Sequence, residues 1–251
     1  MKCLDLFDGY IFDETEDLDL TREYRKALAQ CLHLLPRSFS EFCLDFVSPS
    51  PEPLTLDSVL VDPLRDHLCI SIRTLSGQLQ KLNLSGLRIS PAIFAGDGDG
   101  SYPDWSSLQE VIIGYPAISS TGQWFANPAS PEVVAYIDPD DDDGDYSDYD
   151  MPNLKLLNEF YAAAGKAKQH MPSLKYMNLT LNVDLGGHKF TYYFDQERKR
   201  NMLSLDSSIP FGFSEEVAEA WGFSLDAVNS FKERNTTFDE GNVTVNEVVV
   251  A

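Results

Sequence analysis

The segment Leu79-Gln-Lys-Leu-Asn-Leu84 has a spacing of apolar residues that decides how the rest of the chain is interpreted. An apolar residue is followed by two free positions, a second apolar residue, one free position and a third apolar residue. The same spacing recurs in Phe39–Leu44, Leu108–Ile113 and Leu174–Leu179. Side chains two positions apart lie on one face of an extended chain. Each of the four segments is therefore predicted to be a strand that buries one of its faces.

This recurring pattern is typical of the strand of a leucine-rich repeat, in which each unit buries its apolar side by stacking on the next. The four segments start 40, 29 and 66 residues apart, which indicates an uneven stack. The predicted fold is α/β, a short irregular leucine-rich-repeat-like solenoid with a C-terminal β-hairpin and helix. The alternative is an ordinary α/β domain, because apolar hexads of this kind are common in leucine-rich chains.

Helices are predicted between the first strands. Apolar periodicity predicts a helix over Arg22–Leu35. Its buried face is predicted to hold Tyr24, Ala27, Leu28, Cys31, Leu34 and Leu35. Asp62 and Pro63 are typical of a helix start, and Gly77 is typical of the end of that second helix.

The C-terminal half is predicted to add two helices and a hairpin. A helix is predicted to begin at Asp150, and it should bury Leu154, Leu157, Tyr161, Ala164 and Ala167. Residues 189–194 and 201–206 alternate around a charged turn, which predicts a β-hairpin. A helix carrying Val217, Trp221 and Leu225 should follow, and residues 242–251 are either a strand or a tail.

Composition predicts one globular domain over residues 1–251, because 43% of the residues are hydrophobic and 12% are aromatic. The formal net charge is −21. Residues 138–150 contain eight Asp and no base, so we expect a disordered acidic insertion there. Nucleic acid and anionic membrane are poor partners for such a chain, and a basic protein is a better one.

Localisation is predicted from the cysteines and from the start of the chain. The four cysteines show no paired metal-ligand spacing and are interpreted as reduced thiols. Asp5 and Asp8 interrupt any apolar signal region, and no run approaches the length that would span a bilayer. An intracellular protein, cytoplasmic or nuclear, is therefore predicted.

No catalytic motif is visible, so no catalytic residue, cofactor or metal is predicted and the chain is interpreted as not being an enzyme. One alternative is an enzyme with an acidic site near Asp5 and Asp8. Asp141, Asp143, Gly144 and Asp150 match only parts of a calcium-binding loop. A solvated acidic insertion explains them more simply.

Four blocks of the sequence carry a resemblance to a known family. They are LQKLNLSGLRISPAIF (79–94), SLQEVIIGYPAISSTGQWF (107–125), MPNLKLLNEFYAAAGKAKQHMPSLKYMNLTL (151–181) and FSEEVAEAW (213–221). They resemble the C-terminal region of fungal F-box proteins with degenerate leucine-rich repeats. The resemblance implies a substrate receptor of a cullin-type ubiquitin ligase, in which an F-box holds the Skp1 adaptor and the repeats hold the target. The F-box itself is not visible, because Leu35-Pro36 leads into a predicted strand.

We therefore expect a non-enzymatic scaffold that binds a protein partner and resembles the substrate-recognition region of a fungal F-box protein. The alternative is a complete substrate receptor with a cryptic or missing F-box, so Skp1 is an uncertain partner. The partner-binding residues, here called the ladder, are the outward positions of the four strands. They are Glu41, Cys43, Asp45, Lys81, Asn83, Ser85, Glu110, Ile112, Tyr176, Asn178 and Thr180. The competing interpretation is that these are merely solvated strand positions.

Overall fold

The four hexad segments form four neighbouring parallel strands of one sheet in the computed structural model of the protein. The structure describes residues 3–8, 18–46, 58–62, 65–96, 100–127, 151–183, 186–207, 211–226 and 246–250. For residues 3–8, 127, 151–152, 182–183, 186–187 and 246–248 it describes the backbone alone. The predicted acidic insertion at 138–150 lies outside the described residues.

Ten strands are seen within the described residues. They are β1 (Cys3–Asp8), β2 (Glu41–Phe46), β3 (Lys81–Ser85), β4 (Glu110–Pro116), β5 (Ala126–Asn127), β6 (Met151–Pro152), β7 (Tyr176–Val183), β8 (Gly186–Asp195), β9 (Arg200–Ser207) and β10 (Asn246–Val250). The main sheet has the order β1-β2-β3-β4-β7-β8-β9-β10, and β5 pairs with β6 separately. Strands β1 to β4 and β7 run parallel, whereas β8, β9 and β10 are antiparallel to their neighbours. The fold is therefore mixed α/β.

The register of the parallel strands aligns the apolar residues of the hexads. Phe42, Leu82, Val111 and Met177 form one row across four strands, and Leu44, Leu84, Ile113 and Leu179 form the next. All eight side chains are buried. Burial alternates strictly along β2, β3 and most of β4, so each of these strands buries one face, as the spacing predicts.

Four helices pack on the buried face of the sheet in the described part of the chain. They are α1 (Leu18–Leu32), α2 (His67–Ser76), α3 (Leu154–Lys168) and α4 (Glu215–Trp221). A short 3-10 turn at Pro91–Ile93 lies between α2 and α3, so the helical layer follows the chain from α1 to α4. Their apolar residues join those of the strands in one core. No helix in the described segments is both long and apolar enough to cross a membrane.

The buried face predicted for the first helix was correct only in part. Tyr24, Leu28 and Leu35 are partly buried and pack against the core. Ala27 is exposed. Leu34 lies beyond the end of α1 and is 72% exposed, and Cys31 is also exposed. The residues that α1 buries are Thr21, Arg25, Ala29 and Leu32. Hydropathy could not reveal this face, because Arg25 is buried through an ion pair with Asp66 rather than through apolar packing.

The predicted starts of α2 and α3 were early by about one turn, whereas α1 begins at Leu18, before the predicted Arg22. Asp66, and not Asp62, caps α2, because its side chain accepts a hydrogen bond from the backbone N of Cys69 at 3.1 Å. Helix α3 begins after Asn153, whose side chain caps the N of Leu156 in the same way. The predicted end at Gly77 is confirmed, since Gly77 is the residue that follows the last turn of α2.

The predicted C-terminal hairpin is confirmed, and so is the helix that carries Val217 and Trp221, but this helix ends at Trp221 and does not include the predicted Leu225. Strand β9 pairs along its whole length with residues 188–195 of β8, and α4 follows them. Of the two alternatives for the end of the chain, the strand is observed, because β10 pairs with β9. Helix α4 packs closely on α3, where Trp221 donates its indole N–H to the carbonyl of Tyr161 at 2.8 Å.

Candidate functional site

The ladder lies on the face of the sheet opposite the helices, and all eleven of its residues are half-exposed. Cross-strand pairing aligns Glu41, Lys81, Glu110 and Tyr176 in one row and Cys43, Asn83, Ile112 and Asn178 in a second. Asp45 pairs with Ser85, and Thr180 pairs with Gly114. The fold therefore brings the residues predicted from the hexads together on one surface.

Strand β8 extends this surface beyond the predicted residues. Tyr193 pairs with Tyr176 and Thr191 pairs with Asn178, and both side chains are half-exposed. Sequence reasoning missed these two residues because only the four hexad strands were used to predict the ladder. The alternation of Thr191 and Tyr193 with the apolar residues beside them carries the signal that could have found them.

Charge is distributed unevenly across the ladder. Lys81 Nζ lies 3.0 Å from Glu110 Oε1, and the hydrogen bond to Glu110 raises the pKa of Lys81 above its ordinary value. This pair neutralises the middle of the first row. Glu41 and Asp45 lie on β2 at one side of the surface, so that side is acidic.

A buried polar network links α1 with α2 and two loops on the other side of the sheet. Asp66 accepts hydrogen bonds from Arg25 at 3.2 Å, from Ser90 at 2.9 Å and from Ser120 at 2.6 Å. Burial raises the pKa of Asp66, but the charge of Arg25 and the hydrogen bonds from Ser120 and Cys69 outweigh it, so the pKa lies below 3.8. Because these groups satisfy one another away from solvent, we assign the network to the fold and not to a reaction.

A buried histidine and serine form a second polar pair. His188 Nδ1 lies 2.6 Å from Ser207 Oγ, and the imidazole packs against Tyr161 and Phe211. Burial lowers the pKa of His188 to about 4. Both side chains are buried, and neither lines either of the clefts described below. The pair therefore has the elements of a nucleophile and a base but no described route for a substrate.

Two clefts open on the described surface. One, of about 350 Å³, lies between α1 and the start of α2 and is lined by residues of both charges, among them Arg22, Lys26 and Asp62. The other, of about 500 Å³, lies where α3 ends and β7 begins. Neither includes a residue of the ladder.

The alternative acidic site near Asp5 and Asp8 stays a prediction. The backbone of β1 pairs Asp5 with Cys43 and Asp8 with Phe46, while the side chains of β1 lie outside the described residues. Among the side chains that are described, no group of three His, Cys, Asp or Glu residues is arranged to hold a metal ion.

Comparison with known proteins gives one similarity. Residues 150–248 match the model of a family described as "Family of unknown function (DUF6546)". This segment includes α3, β7, β8, β9 and α4. No curated protein and no solved structure matches the chain.

Proposed function

We propose that the protein is a non-enzymatic scaffold that binds a protein partner on the ladder. The observation that carries this proposal is the alignment of the ladder in register on the face that no described helix covers. A row of half-exposed polar and aromatic side chains in register can be contacted simultaneously by one partner, as on the binding surfaces of repeat proteins. Tyr176, Tyr193 and Ile112 supply the apolar contacts that tend to dominate such interfaces.

A short, irregular leucine-rich-repeat-like solenoid is the fold interpretation that accompanies this function. It is supported by the order of the strands, which follows the chain, and by the four helices of the described residues, which pack on one face of the sheet. Doubly wound α/β proteins instead place helices on both faces of the sheet. The uneven lengths of the units make this solenoid irregular, and β8 to β10 close one end of it.

The substrate-recognition role of an F-box protein is the more specific form of the proposal. It rests on the four sequence blocks quoted above, which include β3, β4, α3, β7 and α4. In this form the ladder holds the target. Leu35-Pro36 follows α1 and precedes β2, so we do not assign Skp1 binding to this pair.

The partner that we expect is a basic protein segment. Glu41 and Asp45 offer carboxylates on one side of the ladder, and the chain as a whole carries a net charge of −21. The negative electrostatic potential of such a chain accelerates the approach of a cationic partner. Salt weakens this attraction, because the Debye length is only about 8 Å at physiological ionic strength. Association should therefore slow as salt is raised.

Photo-crosslinking in native cells tests the surface. A photoreactive amino acid replaces Asn83 at the centre of the ladder, and in the control it replaces Lys155, an exposed residue of α3. We expect a crosslinked protein from position 83 that is absent from position 155 and is lost when Glu41→Lys and Tyr176→Ala are added. Identical products at both positions, or none at position 83, would contradict the proposal.

The same samples separate the two forms of the F-box interpretation. The amount of Skp1 that co-purifies is compared between the unmodified protein and the variant with both Glu41→Lys and Tyr176→Ala. Equal amounts of Skp1 with the two proteins would favour the complete receptor. A crosslinked partner without Skp1 would favour the scaffold.

A further inference from the structure

The side chains on the open face of the sheet differ in length from one row of the ladder to the next. The first row has long side chains on every strand, namely Glu41, Lys81, Glu110, Tyr176 and, on β8, Tyr193. Positions four residues away along the same strands form a third row, namely Asp45, Ser85, Gly114, Thr180 and Lys189. The backbone N of Gly86 donates to the carbonyl of Gly114 at 2.9 Å, which keeps β3 and β4 paired at this row.

The middle of the third row is low. Ser85 and Thr180 have short side chains, Gly114 between them has none, and all three residues are half-exposed. They leave a shallow depression that crosses β3, β4 and β7, and the first row rises beside it. A bound segment that follows this depression therefore runs across the strands and not along one of them.

The chemical character of the ladder also changes across the strands. Glu41 and Asp45 both lie on β2, whereas Glu110 of β4 bonds Lys81 of β3 at 3.0 Å. The β2 side is therefore acidic. Tyr176 of β7 pairs directly with a second tyrosine on β8, so that side is aromatic. A partner that contacts both the carboxylates and the tyrosines must cross the sheet in the same direction as the depression.

Two amides of the second row are placed to bond the main chain of such a segment. Asn83 and Asn178 flank Ile112 and are half-exposed. An asparagine side chain both donates and accepts hydrogen bonds, as a peptide group does, so it can bond a main chain of any sequence. Thr180 Oγ1 donates to Asn178 Oδ1 at 3.0 Å, which holds this amide in place.

The distance across the sheet sets the spacing of residues within the partner. Strands β2 and β7 are separated by β3 and β4, and neighbouring strands are about 4.8 Å apart, so β2 and β7 are about 14 Å apart. Four residues of an extended segment span about 13 Å. Residues four apart also point to the same side of an extended segment, whereas residues three apart point to opposite sides.

We propose that the ladder binds an extended peptide segment that crosses its strands. A Lys or Arg of this segment contacts Glu41 and Asp45, and a large apolar residue four positions away contacts Tyr176 and Tyr193. Asn83 and Asn178 bond the main chain between the two. This binding mode rests on the proposed function, and it specifies the partner segment.

Synthetic peptides test the spacing on the full chain. Three blocked serine peptides of equal length each carry one Arg and one Trp. Arg precedes Trp by four positions in the first peptide, Trp precedes Arg by four in the second, and the two are three apart in the third. The rows fix the spacing but not the direction of the segment, so one of the first two peptides should bind.

NMR resonances of the side-chain amides of Asn83 and Asn178 follow the titrations, because these groups belong to the ladder itself. We expect saturable shifts with one of the two four-apart peptides. The three-apart peptide has the same composition and should bind at least about tenfold more weakly, since it cannot place both side chains on the ladder at once.

Matched variants separate specific contacts from general attraction to an acidic chain. Glu41→Gln combined with Asp45→Asn should weaken the four-apart peptide by about tenfold, and so should Tyr176→Ala. Glu159→Gln combined with Glu219→Gln is the control, because it also removes two carboxylates, both exposed and on the helices of the opposite face. The control should leave binding unchanged, and equal weakening by the control would overturn the proposal.

The results of the two experiments separate this binding mode from the proposed function. Equal affinity for all three peptides, or saturation with none of them, would overturn the crossing segment. A partner still crosslinked at position 83 would then show that the ladder binds it in another way. The absence of both saturation and crosslinking would contradict the binding mode and the proposed function together.

Discussion

Arg25 and Asp66 form an ion pair between α1 and the cap of α2, with Arg25 Nη2 and Asp66 Oδ1 3.2 Å apart and both residues no more than 4% exposed. Arg25 also donates to the carbonyl of Arg88 at 2.9 Å. Removing two charges from water is costly, and only their mutual attraction and further hydrogen bonds offset that cost. The ion pair therefore constrains the position of α1 against α2 more closely than apolar contacts alone would.

Arg25→Met should destabilise the protein by about 3–5 kcal/mol, because it leaves the carboxylate of Asp66 buried without its cation. The double variant with Asp66→Asn should lose less than the sum of the two single variants. Urea unfolding measures all three. Lys26→Met, at the exposed neighbouring position, is the control and should stay within about 0.5 kcal/mol. Equal losses of stability in Arg25→Met and Lys26→Met would show that the buried ion pair does not stabilise the packing of α1.

The pH dependence of stability should report on His188. Its pKa is about 4 in the folded protein because it is buried, against 6.5 for an exposed histidine. Between these values the unfolded chain binds a proton that the folded protein does not. The free energy of unfolding should therefore fall as pH falls from 6.5 to 4, by about 2 kcal/mol between pH 7 and pH 5.

Two variants isolate this contribution in urea unfolding at pH 7 and pH 5. His188→Phe keeps the aromatic contacts with Tyr161 and Phe211 and should lose that part of the pH dependence. His33→Gln changes an exposed histidine and should keep it. The assignment would be wrong if the wild type and His188→Phe lost the same stability between the two pH values.

Side chains along β7 alternate between the core and the ladder, so substitutions at neighbouring residues should differ sharply in their effect on stability. Leu179 is fully buried, so Leu179→Asp should unfold the domain by placing an unpaired charge in the core. Asn178 lies on the ladder, and Asn178→Asp should cost no more than about 1 kcal/mol. Circular dichroism during heating compares the two. Equal loss from both variants would show that the parity of β7 is wrong.

The parts of the fold that sequence predicted well are those in which burial alternates directly with residue type. Leu82, Leu84 and the equivalent residues of the other hexads specify both the strands and, by exclusion, the ladder. Helix α1 was predicted, but its buried face was predicted only in part, because a paired arginine replaces an apolar residue there. The start of α2 was missed because Asp62 before a proline matches a cap as well as Asp66 does.

The two clefts could not be predicted from local patterns. Lys168 and Lys175 are close in sequence, but Gln109, which precedes β4, and Asn201 of β9 reach the same cleft only because of the order of the strands in the sheet. The spacing of residues along one segment carries no information about which distant residues line the same cleft.

Gly86 should tolerate no side chain. Its φ of +70° is in the left-handed region, and a Cβ added there would lie 2.0 Å from the carbonyl oxygen of Phe46 at the end of β2. The obstacle is backbone and cannot rotate away, so Gly86→Ala must displace β2 or β3. We expect a loss of about 2–5 kcal/mol, from the unfavourable φ and from the overpacking together. Gly212→Ala, where an added Cβ meets nothing within 4 Å, is the matched control and should stay within about 0.5 kcal/mol. Urea unfolding measures both variants, and a Gly86→Ala protein as stable as the control would mean that β2 does not approach β3 this closely.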